Sequence, residues 1–271
     1  MTLSHQGPLW LVGAGNMGGA MLRGWIGAGL DPAQAVVIDP YAANLPQGVS
    51  AYPAPPPDGA APATLVLAVK PQTLDAVAPA IAPILEPETL LISILAGVEI
   101  ASLRARLPAP RAVLRVMPNM PVSIGKGVMA LHGDALDDLA CERAVDLMAP
   151  LGLVEWIADE ALFDAVTAVS GCGPAFLFRF IDALGEAGAA LGLPPDQAAR
   201  LAHATVEGSA LLAAAAPESP ATLADRVASP GGSTREGLNV LDDGDAIKAL
   251  LRRTLDASAR RNAEMAAAAR G

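Results

Sequence analysis

The sequence contains few aromatic and few charged residues. Only 3% of its 271 residues are aromatic and 17% are charged, whereas 52% are hydrophobic, with alanine supplying the excess. So few rings argue against a recognition surface of stacked aromatic side chains, and many alanines favour closely packed helices. The charged fraction is low for a soluble domain. We therefore expect part of the surface to be covered in an oligomer.

Positive charge is also scarce, and this excludes one class of partner. The net charge is −10 and the isoelectric point is near 4.7, so the chain lacks the basic footprint that nucleic acid requires. No uncharged apolar stretch of about 18 residues is present, so no transmembrane helix is expected. Met1–Pro8 lacks the basic start of a signal peptide. We expect neither a nucleic-acid nor a membrane partner.

Cysteine and histidine are too few to predict a metal or redox centre. Cys141 and Cys172 do not have the spacing of a metal-binding or disulfide-exchange motif. We expect both thiols to be reduced in a cytoplasmic protein, and we predict no metal. The histidines His5, His132 and His203 are expected to be solvated or packed rather than catalytic.

The first half of the chain alternates short apolar runs with helical patterns. Buried strands are predicted at Leu9–Val12, Ala35–Ile38, Leu65–Val69, Leu90–Ile94 and Ala112–Val116, with edge strands at Gly127–Ala130 and Leu153–Ile157. Helices are predicted at Met17–Ala28, Thr73–Leu85 and near Asp137–Met148, and the prolines of Pro53–Pro57 predict a loop. Alternation of strand and helix is typical of a parallel sheet with helices on its faces.

The second half of the chain has only helical patterns. Helices are predicted at Ala161–Val169, Ala175–Leu191, Asp196–Ala216, Ala221–Ala228 and Asp245–Ala267. Much of the alanine excess lies here, where small side chains permit close approach of helices. We predict an α/β domain at residues 1–159 and an all-helical domain at residues 160–271.

A glycine-rich turn joins the first predicted strand to the first predicted helix. Gly13-Ala14-Gly15-Asn16-Met17-Gly18 has the GxGxxG spacing of a dinucleotide-binding turn. The glycines permit a tight turn, close approach of a pyrophosphate and close packing of helix on strand, and the helix start offers free N–H groups to phosphate. This context predicts a Rossmann-type dinucleotide-binding domain. A glycine-rich turn without a ligand is the alternative.

Asp39 ends the second predicted strand, 21 positions after Gly18. An acid at this place accepts a hydrogen bond from the ribose 2′-hydroxyl, which favours NAD over NADP. No arginine or lysine follows nearby to hold a 2′-phosphate. Asp39-Pro40 is also a turn signal, so a purely structural role is an equal alternative.

Two further polar side chains follow predicted strands. Lys70 lies in Ala68-Val69-Lys70-Pro71, and Asn119 lies in Met117-Pro118-Asn119-Met120-Pro121. Ligands bind at the carboxyl ends of the strands in this architecture, so both side chains are expected at the cofactor crevice. A solvent-exposed lysine and a proline-stiffened loop are the alternatives.

Two segments rich in glycine and proline interrupt the helical half. One is Ser170-Gly171-Cys172-Gly173-Pro174, and the other is Ser229-Pro230-Gly231-Gly232-Ser233-Thr234, which precedes a helix. Free N–H groups and two hydroxyls at a helix start suit a carboxylate. Taken alone, the second segment is better explained as a simple N-cap.

With these segments in order, the chain resembles the pyrroline-5-carboxylate reductase family nearly from end to end. The resemblance rests on GAGNMG at Gly13–Gly18, AVKP at Ala68–Pro71, AGV at Ala96–Val98, MPNMP at Met117–Pro121, SGCGPAF at Ser170–Phe176 and SPGGST at Ser229–Thr234. The last three motifs are far more specific than the glycine fingerprint. The family usually has Ser in place of Cys172, Thr in place of Met120, and a small or basic residue in place of Asp39.

The resemblance implies reduction of the C=N bond of 1-pyrroline-5-carboxylate to L-proline by NADPH or NADH, the final step of proline biosynthesis. By the family pattern, Thr234 hydrogen-bonds the imine nitrogen, and Lys70 and Asn119 border the nicotinamide. The implied cofactor-binding residues are Gly13, Ala14, Gly15, Asn16, Met17, Gly18, Asp39, Ala68, Val69, Lys70, Pro71, Ala96, Gly97 and Asn119. The implied substrate-binding residues are Ser170, Gly231, Gly232, Ser233 and Thr234.

The resemblance also bears on catalysis, cofactor class and assembly. Thr234 and Lys70 become the candidate catalytic residues, and Asp39 shifts the cofactor expectation from NADPH toward NADH. The helical halves of the family interlock as dimers, and rings of dimers are common. A homodimer or a larger assembly of dimers is therefore implied.

Two alternatives belong to other functional classes. A β-hydroxyacid dehydrogenase shares the two-part organisation but uses a lysine early in its helical half, and no lysine occurs from Trp156 through Ala246. A regulator that binds NAD(P) without catalysis is expected to retain GAGNMG and has no need of SPGGST. Oxidation of the cofactor on addition of pyrroline-5-carboxylate separates the enzyme from this regulator.

Overall fold

The computed structural model describes residues 7–56 and 61–270. Within these residues the chain forms a sheet with the strands β1 (Leu9–Val12), β2 (Ala35–Ile38), β3 (Ser50–Tyr52), β4 (Thr64–Leu67), β5 (Leu90–Ser93), β6 (Val113–Met117), β7 (Gly127–Asp134) and β8 (Gly152–Trp156). The strand order is β3-β2-β1-β4-β5-β6-β7-β8. Strands β1 to β6 are parallel, β7 is antiparallel to β6, and β8 is parallel to β7.

The central strands are apolar because both of their faces are covered. Every residue of β1, β4 and β5 is buried, as expected for a parallel sheet between helical layers. The chain order reverses between β1 and β4, which pair in register from Leu9 with Thr64 to Val12 with Leu67. A crevice that binds ligands lies at such a reversal in this class of fold. Gly13 and Ala68 follow these two strands at the crevice.

Helices cover the two faces of the sheet. They are α1 (Asn16–Gly27), α2 (Leu74–Ile81), α3 (Ile100–Arg106) and α4 (Asp138–Met148). Because side chains alternate along a strand, Leu9 and Leu11 pack in the cluster with α1 and α4, whereas Trp10 and Val12 pack with α2 and α3. These two apolar layers form the core of the α/β half.

The second half is helical, as predicted. It contains α5 (Phe163–Val166), a π-helical turn at Thr167–Gly171, α6 (Gly173–Ala190), α7 (Pro195–Ala215), α8 (Pro220–Arg226), α9 (Ser233–Asp242) and α10 (Ala246–Arg270). Helices α6 and α7 approach closely, because a Cβ on Gly185 would lie 3.3 Å from the Cα of Ala199. Small residues therefore set the spacing of these helices, and the expected fold class is confirmed.

Two compact units divide the chain, one containing Met1–Cys172 and Ser258–Gly271, the other containing Gly173–Ala257. The end of α10 belongs to the first unit. The hydroxyl of Ser258 donates to Cys172 Sγ at 3.2 Å, and the amide of Asn262 donates to the carbonyl oxygen of Asp164 at 3.4 Å. The division into domains at residue 160 stays a prediction, and the sequence pattern did not reveal this return of the C-terminal segment.

Two short elements were not predicted from the sequence. Strand β3 has three residues, all of them exposed, so it lacks the apolar alternation by which a strand is recognised. Helix α3 has seven residues, fewer than two full turns of apolar repeat. Strand β7 extends to Asp134, four residues beyond its predicted end, because pairing with β6 satisfies its backbone.

No transmembrane helix was expected from the sequence, but one helical segment of the structure has the length and composition of one. Among the described residues, Glu160–Ala190 is long and apolar enough to cross a membrane by length and composition alone. The segment contains charged residues and Pro174, which is why the stricter sequence criterion excluded it. Several of its large apolar side chains are exposed, including Leu177, Phe178 and Phe180.

Candidate active site

The three glycines of the loop after β1 differ in how closely other atoms approach them. Gly13 has a φ of +93°, and a Cβ there would lie 2.8 Å from the carbonyl oxygen of Ala68. A Cβ on Gly18 would lie 2.2 Å from the carbonyl oxygen of Gly13, so α1 packs directly on the loop. At Gly15, by contrast, no atom lies within 4 Å of the Cβ position. The loop is therefore tight at its ends and open at its centre.

The start of α1 offers unpaired N–H groups. Gly15 is the N-cap residue, so no side chain caps the helix, and no acidic residue lies in its first turn. A helix start of this kind attracts phosphate through its N–H groups and the positive end of its dipole. The residues present thus fit the pyrophosphate of a dinucleotide.

Asp39 links the glycine loop to the turn after β2. Its Oδ2 accepts a hydrogen bond from the N–H of Ala14 at 2.8 Å, and its Oδ1 accepts from the N–H of Tyr41 at 2.8 Å. The turn role proposed as an alternative is therefore present. A carboxylate has about four lone-pair sites, so the same group retains the capacity to accept from a ribose hydroxyl.

A cleft of about 540 Å³ opens beside this loop. It is lined by Val12, Gly13, Gly15, Ile38, Asp39, Pro40, Tyr41, Pro53, Ala54, Pro55, Ala68, Val69, Lys70, Thr73, Ala76, Val77, Ala80 and Ile81. Among these described residues, Asp39 is the single acid and Lys70 the single cation. Tyr41 is 90% exposed, and sequence reasoning missed both this ring and the proline wall at Pro53–Pro55.

Lys70 lies where β4 leads into α2. Its carbonyl oxygen accepts from the N–H of Thr73 at 2.9 Å and from the hydroxyl of Thr73 at 2.8 Å. These bonds fix the backbone of Lys70 at the start of the helical turn Pro71–Thr73. Its side chain is exposed and lines the cleft, as the sequence predicted for a residue at the end of this strand.

Asn119 is buried, with 7% exposure. Its Oδ1 accepts from the N–H of Val128 at 2.8 Å, and its Nδ2 donates to the carbonyl oxygen of Ser170 at 2.9 Å. The side chain therefore bridges β7 and the π-helical turn, which the sequence did not indicate. Its predicted contact with the cofactor stays a prediction, and the second N–H of the amide and the second lone pair of Oδ1 retain capacity for such a contact.

Ser170 lies in the π-helical turn Thr167–Gly171, and its hydroxyl donates to the carbonyl oxygen of Val166 at 2.8 Å. In the same unit, the loop after β5 contains Ala96 and Gly97. Gly97 has a φ of +75°, and a Cβ there would lie 3.4 Å from the Cα of Ala266. The end of α10 thus packs on the loop that the family resemblance assigns to the cofactor.

The segment Ser229–Thr234 lies in the second unit and forms the start of α9. Gly231 has a φ of +71°, which favours glycine, and a Cβ on Gly232 would lie 2.7 Å from Ser229 Oγ. Gly232 is the N-cap residue, and no side chain caps the helix. The simple N-cap interpretation is therefore wrong for the hydroxyls of Ser233 and Thr234, and Thr234 is exposed.

Among the histidines and cysteines, His132 has structural partners. His132 Nδ1 lies 2.8 Å from the carbonyl oxygen of Ile157, and its ring contacts Phe163 edge to face. Cys141 and Cys172 are free. In the described part of the chain, no group of three histidine, cysteine, aspartate or glutamate side chains could hold a metal ion.

The parallel strands β1 to β6, the glycine loop at their reversal point and the uncapped start of α1 define a Rossmann-type dinucleotide-binding domain, the cofactor-binding part of a nicotinamide-dependent oxidoreductase. A family model described as NADP oxidoreductase coenzyme F420-dependent matches residues 9–97. A second, described as pyrroline-5-carboxylate reductase dimerisation, matches residues 160–265.

Similar proteins extend this result to the whole chain. The pyrroline-5-carboxylate reductase of Pseudomonas aeruginosa is 39% identical over 261 residues, covering 94% of this chain and 95% of the relative. That of Pisum sativum is 34% identical, covering 97% of each chain. The Plasmodium falciparum pyrroline carboxylate reductase with NADP bound has a TM-score of 0.84 at 27% identity, covering 96% of this chain and 98% of that one. The Coxiella burnetii reductase has a TM-score of 0.86 at 30% identity with the same coverage. The chain belongs to the pyrroline-5-carboxylate reductase family.

Proposed function

We propose that this protein reduces the C=N bond of 1-pyrroline-5-carboxylate to L-proline, the last step of proline biosynthesis. The observation that carries the proposal is the start of α9. Gly231 and Gly232 lead into an uncapped helix end, and Ser233 and Thr234, which follow, carry two hydroxyls. A small acid with a ring nitrogen needs this combination: N–H groups for its carboxylate and a hydroxyl for its nitrogen.

The reaction adds a hydride to the imine carbon and a proton to the nitrogen. When bound, NAD(P)H supplies the hydride, and the protein positions the substrate. In our proposal the backbone of Gly231–Thr234 holds the carboxylate, and the hydroxyl of Thr234 hydrogen-bonds the nitrogen. Ser170 and Ser233 are proposed as further substrate-binding residues. A threonine hydroxyl is a weak acid, so Thr234 orients the substrate or relays a proton instead of being its source.

The cofactor is proposed to lie along the cleft of the first unit. The loop Gly13–Gly18 and Asp39 hold the pyrophosphate and the adenosine ribose, and Ala68–Pro71 follows the cofactor toward the nicotinamide. Ala96, Gly97 and Asn119 are assigned to the nicotinamide side, and Lys70 contributes its charge there. The open space at Gly15 and the cleft volume support the placement at the glycine loop, Asp39 and Ala68–Lys70.

We further propose that NADH is used in preference to NADPH. Asp39 places a negative charge at the edge of the cleft where a 2′-phosphate would lie, and Lys70, the single cation among the described cleft residues, is on another strand end. Steady-state rates with each cofactor test this directly. A kcat/KM for NADH above that for NADPH is expected, and the reverse order refutes the preference.

We propose a cytoplasmic homodimer, or a larger assembly of dimers, without nucleic-acid or membrane partners. The exposed apolar side chains of α6, including Leu177, Phe178 and Phe180, are then covered by the partner subunit. The family model for dimerisation, which spans residues 160–265, supports this arrangement. Light scattering coupled to gel filtration, without detergent, is expected to give at least twice the monomer mass.

The catalytic proposal is tested by following cofactor oxidation at 340 nm. Oxidation of NAD(P)H is expected with pyrroline-5-carboxylate, whereas reduction of NAD(P)+ by open-chain 3-hydroxy acids is not expected. Equal turnover of the two substrate classes refutes the proposal. The six-membered imine analogue measures the tolerance for ring size. A Thr234→Ala protein purified in parallel excludes a contaminating host reductase, and Thr254→Ala, on α10 and outside the proposed site, controls for the substitution itself.

A further inference from the structure

We propose that Asp39 is a positioning residue for the glycine loop, in addition to its proposed contact with the adenosine ribose. Its carboxylate holds the loop Gly13–Gly18 in the conformation that presents N–H groups to the pyrophosphate. This inference rests on the proposed binding of the cofactor at that loop. Asp39 is then proposed to determine both the preference for NADH and the conformation of the loop that binds the cofactor.

The hydrogen bonds of Asp39 connect the loop to a fixed point of the sheet. The N–H of Asp39 donates to the carbonyl oxygen of Tyr52 at 2.9 Å, which ties its backbone to β3. From this position, Oδ2 accepts from the N–H of Ala14 at 2.8 Å, and Oδ1 accepts from the N–H of Tyr41 at 2.8 Å. The carboxylate therefore transmits the position of β2 and β3 to the loop after β1.

The loop has few other restraints. Among the described residues, Asp39 alone hydrogen-bonds Gly13–Gly18 through a side chain. The N–H of Gly13 donates to the carbonyl oxygen of Ile38 at 3.0 Å, and the carbonyl oxygen of Gly15 accepts from the N–H of Gly19 at 2.7 Å. Between these two bonds, Ala14 packs against the apolar cluster that contains Leu9 and Leu11, and its hydrogen bond to Asp39 fixes the direction of its N–H. Gly15 contributes no side chain, and its Cβ position is open. Release of Ala14 therefore frees the part of the loop that faces the pyrophosphate.

Both roles of Asp39 are lost together when the acid is replaced. Removal of the carboxylate lowers the repulsion of a 2′-phosphate, and it also removes the acceptor for the N–H of Ala14. Asparagine, the isosteric replacement, has one oxygen and one N–H₂ group, so it can accept from only one of the two backbone donors. We therefore expect replacement of Asp39 to weaken all dinucleotides instead of exchanging one class for another.

The first test uses two ligands to distinguish the effect of Asp39 on the loop from its contact with the ribose. Binding of NADH, and of an NADH analogue that lacks both hydroxyls of the adenosine ribose, is measured by nicotinamide fluorescence without substrate. The analogue has no hydroxyl for Asp39 to hold, so any loss of its affinity reports the loop. Asp39→Asn and Asp39→Ser are each expected to weaken the analogue by about ten-fold or more. Wild-type affinity of both variants for the analogue would refute the positioning role.

Asp31→Asn is the matched control. Asp31 Oδ1 accepts from the N–H of Ala33 at 3.0 Å, the same contact to the second following residue that Asp39 makes with Tyr41. Asp31 does not line the cleft, so its replacement removes one negative charge and one such turn without affecting the loop. Its affinity for both ligands is expected to stay within about two-fold of the wild type, because a surface charge of this kind contributes little.

A second test needs no ligand. Amide hydrogen exchange of the peptide that contains Ala14 is expected to be faster in the Asp39 variants than in the wild type and in Asp31→Asn, because serine lacks the carboxylate and asparagine can accept from only one of the N–H groups of Ala14 and Tyr41. Unchanged exchange at Ala14 refutes the inference. Thermal unfolding identifies a variant that fails to fold, and the isosteric Asp39→Asn then carries both tests. If the wild-type protein prefers NADPH, the proposed preference for NADH is wrong. Binding of the analogue and hydrogen exchange at Ala14 still test the positioning role of Asp39.

Discussion

Gly15 and Gly18 belong to one turn, yet the structure predicts opposite consequences when each is replaced by alanine. Gly15 has φ −65° and ψ −161°, an extended backbone with a negative φ that does not require glycine, and its Cβ position is free of atoms within 4 Å. At Gly18 a Cβ would lie 2.2 Å from the carbonyl oxygen of Gly13 and 3.0 Å from the Cβ of Ala68. Gly15→Ala therefore fills open space, whereas Gly18→Ala pushes α1 away from β1.

The magnitudes follow from these contacts. Gly15→Ala is expected to leave the free energy of unfolding unchanged or to raise it by about 0.4–1 kcal/mol, because the unfolded chain loses freedom. Its methyl group enters the space proposed for the pyrophosphate, and one lost bond to a charged group costs about 1.5–3 kcal/mol, or about ten- to hundred-fold in Kd. Gly18→Ala is expected to destabilise the fold by about 1–3 kcal/mol, which lowers Tm by about 2–4 °C per kcal/mol.

Thermal unfolding followed by circular dichroism and cofactor titration followed by fluorescence measure the two quantities separately. Gly27→Ala is the control, since Gly27 ends α1 and its Cβ position is also open. This variant is expected to keep both the wild-type Kd and at least the wild-type Tm. An unchanged Kd for Gly15→Ala, or an unchanged Tm for Gly18→Ala, would refute the assignment of roles within the loop.

Three further predictions concern other parts of the molecule. Thr234→Ala is expected to lower kcat about ten- to hundred-fold with little change in cofactor Kd, and Thr234→Ser is expected to retain most activity; a loss confined to cofactor affinity contradicts the substrate contact. Glu160→Ala leaves the guanidinium of Arg115, buried and paired at 2.9 Å, without its carboxylate, so denaturant unfolding is expected to show a loss of about 3–5 kcal/mol; a loss below about 1 kcal/mol contradicts this. The hydrogen bond from Arg106 holds the pKa of Asp75 below its ordinary value of 3.8. The ion pair therefore stabilises the fold at pH values above 3.8, and this stabilisation is lost as the pH falls through the lowered pKa of Asp75. Asp75→Asn is therefore expected to reduce the acid dependence of Tm, and an unchanged dependence shows that the pair contributes nothing.

Much of the fold could be predicted because its signals are local. The apolar runs at Leu9–Val12 and Ala35–Ile38 coincide with β1 and β2, since a strand buried on both faces is apolar at every position. The exposed strand at Ser50–Tyr52 and the short helix at Ile100–Arg106 carry no such pattern. They form because neighbouring strands and helices supply their partners, which a local pattern does not record.

The same distinction applies to the candidate site. The spacing of Gly13, Gly15 and Gly18 predicted a tight turn, close approach of a pyrophosphate and close packing of helix on strand. Gly13 and Gly18 are closely packed, and the Cβ position of Gly15 is open, while the approach of a pyrophosphate stays a prediction. Asn119, whose place at the crevice stays a prediction, bridges Val128 and Ser170 from a buried position, and the sequence did not indicate this bridge. The direction of its side chain depends on partners 9 and 51 residues away, and no local signal contains them.

The sequence by itself determined the class of fold, the position of the dinucleotide loop and the family. Strand burial, turn chemistry and motif spacing each depend on residues that are close together in the chain. Only the tertiary structure decided that the carboxylate of Asp39 holds Ala14, and that the end of α10 packs on Gly97 through Ala266. These contacts join residues far apart in the chain. Hydrogen bonds and close packing depend on distances of a few ångströms that only the assembled sheet and helices establish.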